Sequence, residues 1–321
     1  MNKHFRNSKL FAILIIVVGA ILFSTKAVVI KLAYQHEIDS LSLLALRMLF
    51  SIPFFVGILL LKSKDNPSSS TIQRLDWLKI AGVGILGFYC ASYLDFLGLQ
   101  YISASLERMV LYVYPTLVLL LSGIFLKKKI NKIQVLALVT TYFGIALIFS
   151  GKMSAVGNSN PALGAIFVFL AALTYAMYLV GSGELLPRIG TRRFTSYSMI
   201  AAATMVLLHH GLSNHWDLFR FPLEIYGLAL YMAVFATVIP TYMISEGIRI
   251  VGANNAAIIG AIGPVSTIVL AYLLLDERLY PIQMVGTFIV ISGVLTITLD
   301  KNKKKGTKSS VSLPTERLGK N

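Results

Sequence analysis

The sequence predicts an all-α integral membrane protein: ten transmembrane helices forming two inverted five-helix repeats around a central cavity. Three observations predict it. Of 321 residues, 56% are hydrophobic and only 13% charged, with a mean hydropathy of +0.75. A soluble domain is about 45–50% apolar and 25% charged, so this chain has too little polar surface to coat a globule in water. The apolar residues also fall into ten runs of membrane-spanning length. Finally, the second half of the chain repeats the first. A soluble enzyme, a disordered hub and a disulfide-stapled secreted module are excluded, and no room is left for a separate catalytic domain.

The runs lie near 10–34, 40–61, 76–98, 101–126, 131–149, 161–182, 194–212, 225–246, 252–275 and 281–299. Backbone in lipid must satisfy its own hydrogen bonds, so each run is read as a helix. They are separated at Lys64-Asp65-Asn66-Pro67, Lys127-Lys128-Lys129, Asn158-Ser159-Asn160-Pro161 and Asp276-Glu277-Arg278. The runs that abut at 98–101 and 246–252 are the ones expected to merge or shift. The first run follows Lys3, Arg6 and Lys9 as a signal peptide would, but it continues to about Tyr34 without a small-residue cleavage site. It is therefore read as an uncleaved span. The single cysteine, Cys90, lies in an apolar run and cannot form an internal disulfide.

Net charge of +15 would suggest nucleic acid in a soluble chain. Here it follows from the rule that cytoplasmic loops collect Lys and Arg. With the N-terminus inside, 22 of these residues fall on the cytoplasmic side and four outside. Both termini are thus expected in the cytoplasm of a bacterial-type inner membrane, and no nucleic-acid partner is expected. The expected divisions are a cytoplasmic segment 1–9, repeats at 10–149 and 161–299, and a basic disordered tail 300–321 near anionic lipid.

Shifting the chain by 149 overlays Gly98–Ile148 on Gly247–Ile297 without a gap. Identical pairs include Gly98/Gly247, Ala104/Ala253, Pro115/Pro264, Gln134/Gln283 and Gly144/Gly293, and upstream Tyr93 meets Tyr242. Five spans per copy is an odd number, so the second copy enters the membrane from the opposite side. The charges agree: Lys127-Lys128-Lys129 meets Asp276-Glu277-Arg278, basic where the loop lies inside and acidic where it lies outside. Inverted repeats are characteristic of secondary transporters, with a substrate site between the halves.

The stretch Gly98-Leu-Gln-Tyr-Ile-Ser-Ala-Ser105, Pro115, and Leu274-Leu-Asp-Glu-Arg-Leu279 followed by Gln283 and Gly286 resemble the EamA-type group of the drug/metabolite transporter superfamily. The resemblance covers about residues 10–299. It implies a ten-helix inner-membrane carrier, often an exporter of amino acids or other metabolites. It also implies a cavity lined by spans one, three, four, six, eight and nine. One departure is Lys128, where the group commonly has an acidic residue.

Five ionisable residues lie within spans: Lys26, Arg47, Asp95, Glu107 and Arg108, all in the first repeat. Each costs about 2.5–3.5 kcal/mol at the bilayer centre on insertion scales. Counting along the spans puts them in one layer roughly 5–12 Å below the outer surface. Three cations against two anions favour a zwitterionic or anionic substrate, with Lys26 or Arg108 meeting its carboxylate and Asp95 or Glu107 its amine. Against this stands a set of interhelical ion pairs, such as Arg47 with Glu107, that never touch substrate. Tyr93, Tyr114, Tyr175 and Tyr242 are further candidates for substrate contact, weighed against ordinary packing. With one carboxylate, a tyrosine wall would equally suit an organic cation. Pro115 and Pro264 are candidate bending points, and Asn254 a candidate cytoplasmic gate; close packing and helix-start polarity explain them as well.

His209, His210 and His215 have no ligand spacing that marks a metal site, and no metal or cofactor is expected. The motifs H-E-x-x-H, G-x-S-x-G, P-loop and strand-linked G-x-G-x-x-G are absent, so neither catalysis nor ATP coupling is expected. The reading is a secondary active transporter that moves a small polar metabolite such as an amino acid outward by alternating access. Its rivals are an organic-cation exporter and a non-transporting membrane enzyme or scaffold. Oligomeric state is not indicated.

Overall fold

The computed structural model describes residues 3–61, 73–102, 104–149, 160–260, 262, 263, 265, 266, 269 and 281–299. The turn clusters at 64–67, 158–159 and 276–278, Pro264 and the basic tail lie outside the described residues. Within them, every regular element is helical.

The first half comprises α1 (Lys3–Tyr34), α2 (Ser40–Leu60), α3 (Arg74–Gly84), α4 (Ala91–Tyr101), α5 (Ala104–Leu111), α6 (Tyr114–Leu126) and α7 (Lys132–Phe149). A π-helical turn at Ile85–Cys90 joins α3 to α4. The second half comprises α8 (Pro161–Ile189), α9 (Thr191–Asn214), α10 (Leu223–Ala233), α11 (Ile239–Val251), α12 (Ala253–Gly260) and α13 (Pro281–Leu299), with a second π-helical turn at Val234–Val238. Five stretches are long and apolar enough to cross a membrane by themselves: Lys9–Tyr34, Ser40–Leu60, Arg74–Tyr101, Pro161–Ile189 and Leu223–Val251.

Local chemistry explains the ends. Asp39 caps α2 by accepting from Leu41 N and Ser42 N at 3.0 and 2.9 Å, and Asn160 caps α8 ahead of Pro161. α8 and α9, and likewise α11 and α12, are separated by a single glycine. Gly190 and Gly252 have φ of +85° and +81°, a conformation that L side chains resist. Gly252 thus parts the runs that abut at 246–252, and those that abut at 98–101 are separate too, with α4 ending at Tyr101 and α5 starting at Ala104.

The repeat is built into the backbone. The two π-helical turns begin 149 residues apart, and so do both ends of α5 and α12. The close approaches are reciprocal as well. A Cβ on Gly98 would lie 3.0 Å from Gly164 O and 2.5 Å from Val168; one on Gly247 would lie 3.5 Å from Ala12 O and 2.2 Å from Ile16. Hence α4 packs on α8 as α11 packs on α1. Gly144 meets Gly286 and Val290, while Gly293 meets Ala137 and Thr141, so α7 and α13 clasp each other through matching residues. Spans one and six match at a shift of 152, with Ala12 over Gly164 and Ile16 over Val168, whereas the later elements match at 149; the stretch from span six to span eight is therefore three residues shorter than that from span one to span three. The chain is thus an all-α membrane protein of two inverted halves.

Candidate functional site

The two halves enclose a cavity of about 50 Å³. On a measure where one water takes about 10–15 Å³, it holds a few waters, and anything larger needs its walls to part. Its wall comes from six spans: Phe23 and Lys26 on α1, Ser92 and Asp95 on α4, Arg108 and Tyr112 on α5 and the turn after it, Tyr114 on α6, Tyr175 on α8, Ile244 on α11, and Ala257 and Gly260 on α12. These are the six spans that the family resemblance implies.

One end of the bundle carries Lys127-Lys128-Lys129, Arg188, Arg192 and Arg193 and is called the basic face below. The intramembrane charges cluster toward the other end, because they sit late in α1 and α4 and early in α2 and α5. Lys26 Nζ donates to Asp95 Oδ2 at 2.6 Å, with both side chains buried. It also lies 4.7 Å from the Phe23 ring centroid, on the same helix face three residues away. Glu107 Oε2 is 3.1 Å from Arg108 Nε, and both are buried. Arg108 Nη2 is buried with no hydrogen-bond partner among the described residues, although Arg108 lines the cavity. This edge of the guanidinium is where the site can accept an anion.

Arg47 does not pair with Glu107. Its Nη2 donates to Ser92 Oγ at 3.0 Å and its guanidinium lies 5.1 Å from the Phe96 ring centroid, which ties α2 to α4. Glu107 is fully buried against Arg108 and is not part of the cavity wall.

The tyrosines divide. Tyr114 and Tyr175 line the cavity with rings 5.3 Å apart, edge to face, and Tyr175 stacks on Phe23, its counterpart at the 152-residue shift. Tyr93 lies outside the wall, stacked on Tyr89 and set edge-on to His209. Tyr242 is also outside it, bonded to Ser196 Oγ at 2.6 Å and tilted against Phe55. Phe23, Ser92 and Tyr112 also stand on the wall, although none was among the residues assigned to substrate. Each is three or four residues from a charged one, on the same helical face as Lys26, Asp95 and Arg108, and that spacing was the available signal.

Pro115 is buried at the start of α6, just after the break at 112–113. Asn254, at the basic face, accepts from Ser122 Oγ at 2.8 Å, and beside it Asn255 accepts from Gln134 Nε2 at 2.9 Å. These bonds, with the exposed Lys128–Glu184 pair, tie the two halves together at that end. Among the described residues no group of three or more His, Cys, Asp or Glu could hold a metal ion.

Known proteins agree with this architecture. The profile of the EamA-like transporter family matches residues 10–150 and again 162–299. An uncharacterized transporter, YcbK, from Bacillus subtilis (strain 168) is 34% identical over 297 residues, covering 90% of this chain and 94% of the relative. A second from the same organism, the uncharacterized transporter YyaM, is 27% identical over 217 residues, 67% of this chain and 70% of its own. A solved structure described as "Crystal structure of protein" shares the fold, with a TM-score of 0.68 at 16% identity over 90% of this chain and 96% of its own. A duplicated five-span plan, a cavity at the seam of its halves and a profile that matches once in each half lead to one conclusion: the chain belongs to the EamA-like transporter family and is an integral membrane transporter.

Proposed function

We propose that the protein is a secondary carrier for a small zwitterionic or anionic metabolite such as an amino acid, working by alternating access. The observation that carries this reading is Arg108. Its guanidinium lines the cavity, is buried, and keeps Nη2 without a hydrogen-bond partner among the described residues. A buried unpaired donor of this kind is costly to leave unmade, and a carboxylate is a ligand that satisfies it through a charge-assisted hydrogen bond. Asp95, across the wall and already holding the ammonium of Lys26, supplies the matching place for a substrate amine. The basic face is taken as cytoplasmic by the distribution of Lys and Arg, and the direction proposed is outward.

The test begins with a metabolite screen of cells with and without the protein, followed by counterflow in proteoliposomes. Substrates that keep a free carboxylate should exchange, and their methyl esters should not. Arg108→Gln should lose exchange while membrane levels of the protein stay normal. Absence of counterflow with every compound that the screen returns would overturn the carrier reading. Reporter fusions at the C-terminus test the orientation, which fails if that end lies outside.

One observation favours a second reading. Lys26 Nζ sits between the Phe23 ring and Asp95, so an aromatic-and-carboxylate nest already accommodates an ammonium group. An organic cation that displaces the lysine would use the same nest. Exchange of quaternary ammonium compounds that survives Arg108→Gln would select this reading.

A further inference from the structure

We infer that Tyr112 and Tyr114 are positioning residues that hold the broken span nine in register across the seam, and that Gly260 and Gly263 exist to admit their hydroxyls.

Span nine leaves α-geometry after Gly260. Ile262 N bonds back to Ile259 O at 3.3 Å, a tighter i to i+3 turn, and regular bonding is seen again from Ser266 N to Ile262 O. In an unbroken helix the carbonyl of Gly260 would take the N–H four residues on, but that residue is Pro264, which has none. A carbonyl orphaned inside a membrane bundle costs several kcal/mol unless something else donates to it. Tyr112 does so: its hydroxyl donates to Gly260 O at 3.1 Å. One turn earlier the Tyr114 hydroxyl donates to Ala257 O at 3.2 Å. From α1, Ser24 Oγ, which donates to Ala20 O at 2.7 Å, also lies within 3.2 Å of Gly263 O and shares its proton with it. The break is therefore held from outside, by spans four and one of the other half.

The glycines supply independent support. A Cβ on Gly263 would lie 1.4 Å from the Tyr112 oxygen, and one on Gly260 would lie 2.6 Å from the Tyr114 oxygen. Each phenol fills the place where a side chain of span nine would otherwise stand. The corresponding break in span four is treated differently: Tyr142, from the same half, donates to Val113 O at 3.3 Å. Among the described residues, only the break in span nine is held across the seam by tyrosines, and Tyr112 stands one turn from Arg108 on the cavity wall. Any parting of the halves at this level must release these bonds.

The first readout needs neither substrate nor the carrier reading. Amide hydrogen exchange on the full chain in lipid nanodiscs should show residues 257–266 exchanging roughly five- to tenfold faster in Tyr112→Phe, and faster still in Tyr112→Phe/Tyr114→Phe. Exchange elsewhere should be unchanged. Unchanged exchange in this segment, or acceleration spread evenly over the chain, would overturn the inference. A double-mutant cycle supplies the second arm. Gly263→Ala should damage melting temperature strongly in the native background and less in Tyr112→Phe, where the oxygen has gone. Strictly additive effects would overturn it too.

A third arm separates positioning from mere support and does use alternating access. In a Cys90→Ser background, Asn254→Cys should react with an impermeant maleimide at a rate that Tyr112→Phe shifts at least threefold. If that rate stays constant while the exchange result holds, the tyrosines brace the helix without positioning it, and the positioning role is refuted. If counterflow fails for every compound yet the exchange result holds, the carrier reading falls and the cross-seam contact survives.

Discussion

The first and second halves share a backbone and differ in what they hang on it. Both bend at a π-helical turn, at Ile85–Cys90 and Val234–Val238, and both break a helix at matching points, after Leu111 and after Gly260. Both press α7 and α13 together through Gly144 and Gly293. The chemistry is not shared. Where the first half has Asp95, Glu107 and Arg108, the second has Ile244, Ala256 and Ala257. On the proposed carrier reading, the comparison teaches that rocking would need two copies of the backbone machinery, whereas recognition would need one set of charges against a smooth opposite wall. The small residues of α12 are that wall: they leave the volume that the charged and aromatic side chains of the first half occupy.

Replacing one residue and its counterpart tests this division directly. The largest effect is expected at Asp95. Asp95→Asn strands the buried Lys26 ammonium and should destabilise the protein by about 3–5 kcal/mol, whereas Ile244→Val, at the matching place, should cost only about 0.5–1.5 kcal/mol. Thermal melting in detergent measures both. The double change Lys26→Met/Asp95→Leu should recover most of the lost stability without recovering transport; failure to recover would show that the pair's surroundings demand ions. Next comes Arg108→Gln, which should reduce counterflow roughly 100-fold or more by removing the proposed carboxylate donor. Ala257→Ser on the opposite wall should change counterflow by no more than about threefold. Equal losses would dissolve the distinction between a chemical half and a smooth half.

Smaller effects should be alike in the two copies, because they touch the shared backbone. Gly144→Ala and Gly293→Ala each push a methyl group against the facing helix and should each cost about 1–3 kcal/mol. A wide gap between their melting shifts would mean that the clasp between α7 and α13 is not reciprocal. Smallest of all is Lys128→Ala at the basic face, where the pair with Glu184 is half exposed and contributes about 0–1 kcal/mol.

The ten spans, the repeat and the layer of charges were all legible in the sequence, because hydropathy and repeat spacing report position along a helix directly. Direction around a helix was less legible. Tyr93 and Asp95 lie two residues apart on α4, about 200° around it. Asp95 faces the cavity and Tyr93 faces His209. The same holds for Ile244 and Tyr242 on α11. Each of these helices follows a π-helical turn, which adds a residue and rotates every face after it, and no residue pattern announces such a turn. Arg47 was ambiguous for another reason: its depth fitted Glu107, but its partner is the small hydroxyl of Ser92, which hydropathy does not report.

The one-sided placement of the buried ions has a consequence for the proposed transport cycle. Opening away from the basic face would rehydrate Lys26, Asp95, Glu107 and Arg108 together, whereas opening toward it would wet only the three that line the cavity, Lys26, Asp95 and Arg108. Returning ions to water recovers part of their several-kcal/mol desolvation penalty, so the proposed cycle should populate its two open forms unequally even without cargo. A carrier with such a built-in tilt should show different half-saturation concentrations from its two sides, and equal values would show that the tilt is cancelled elsewhere.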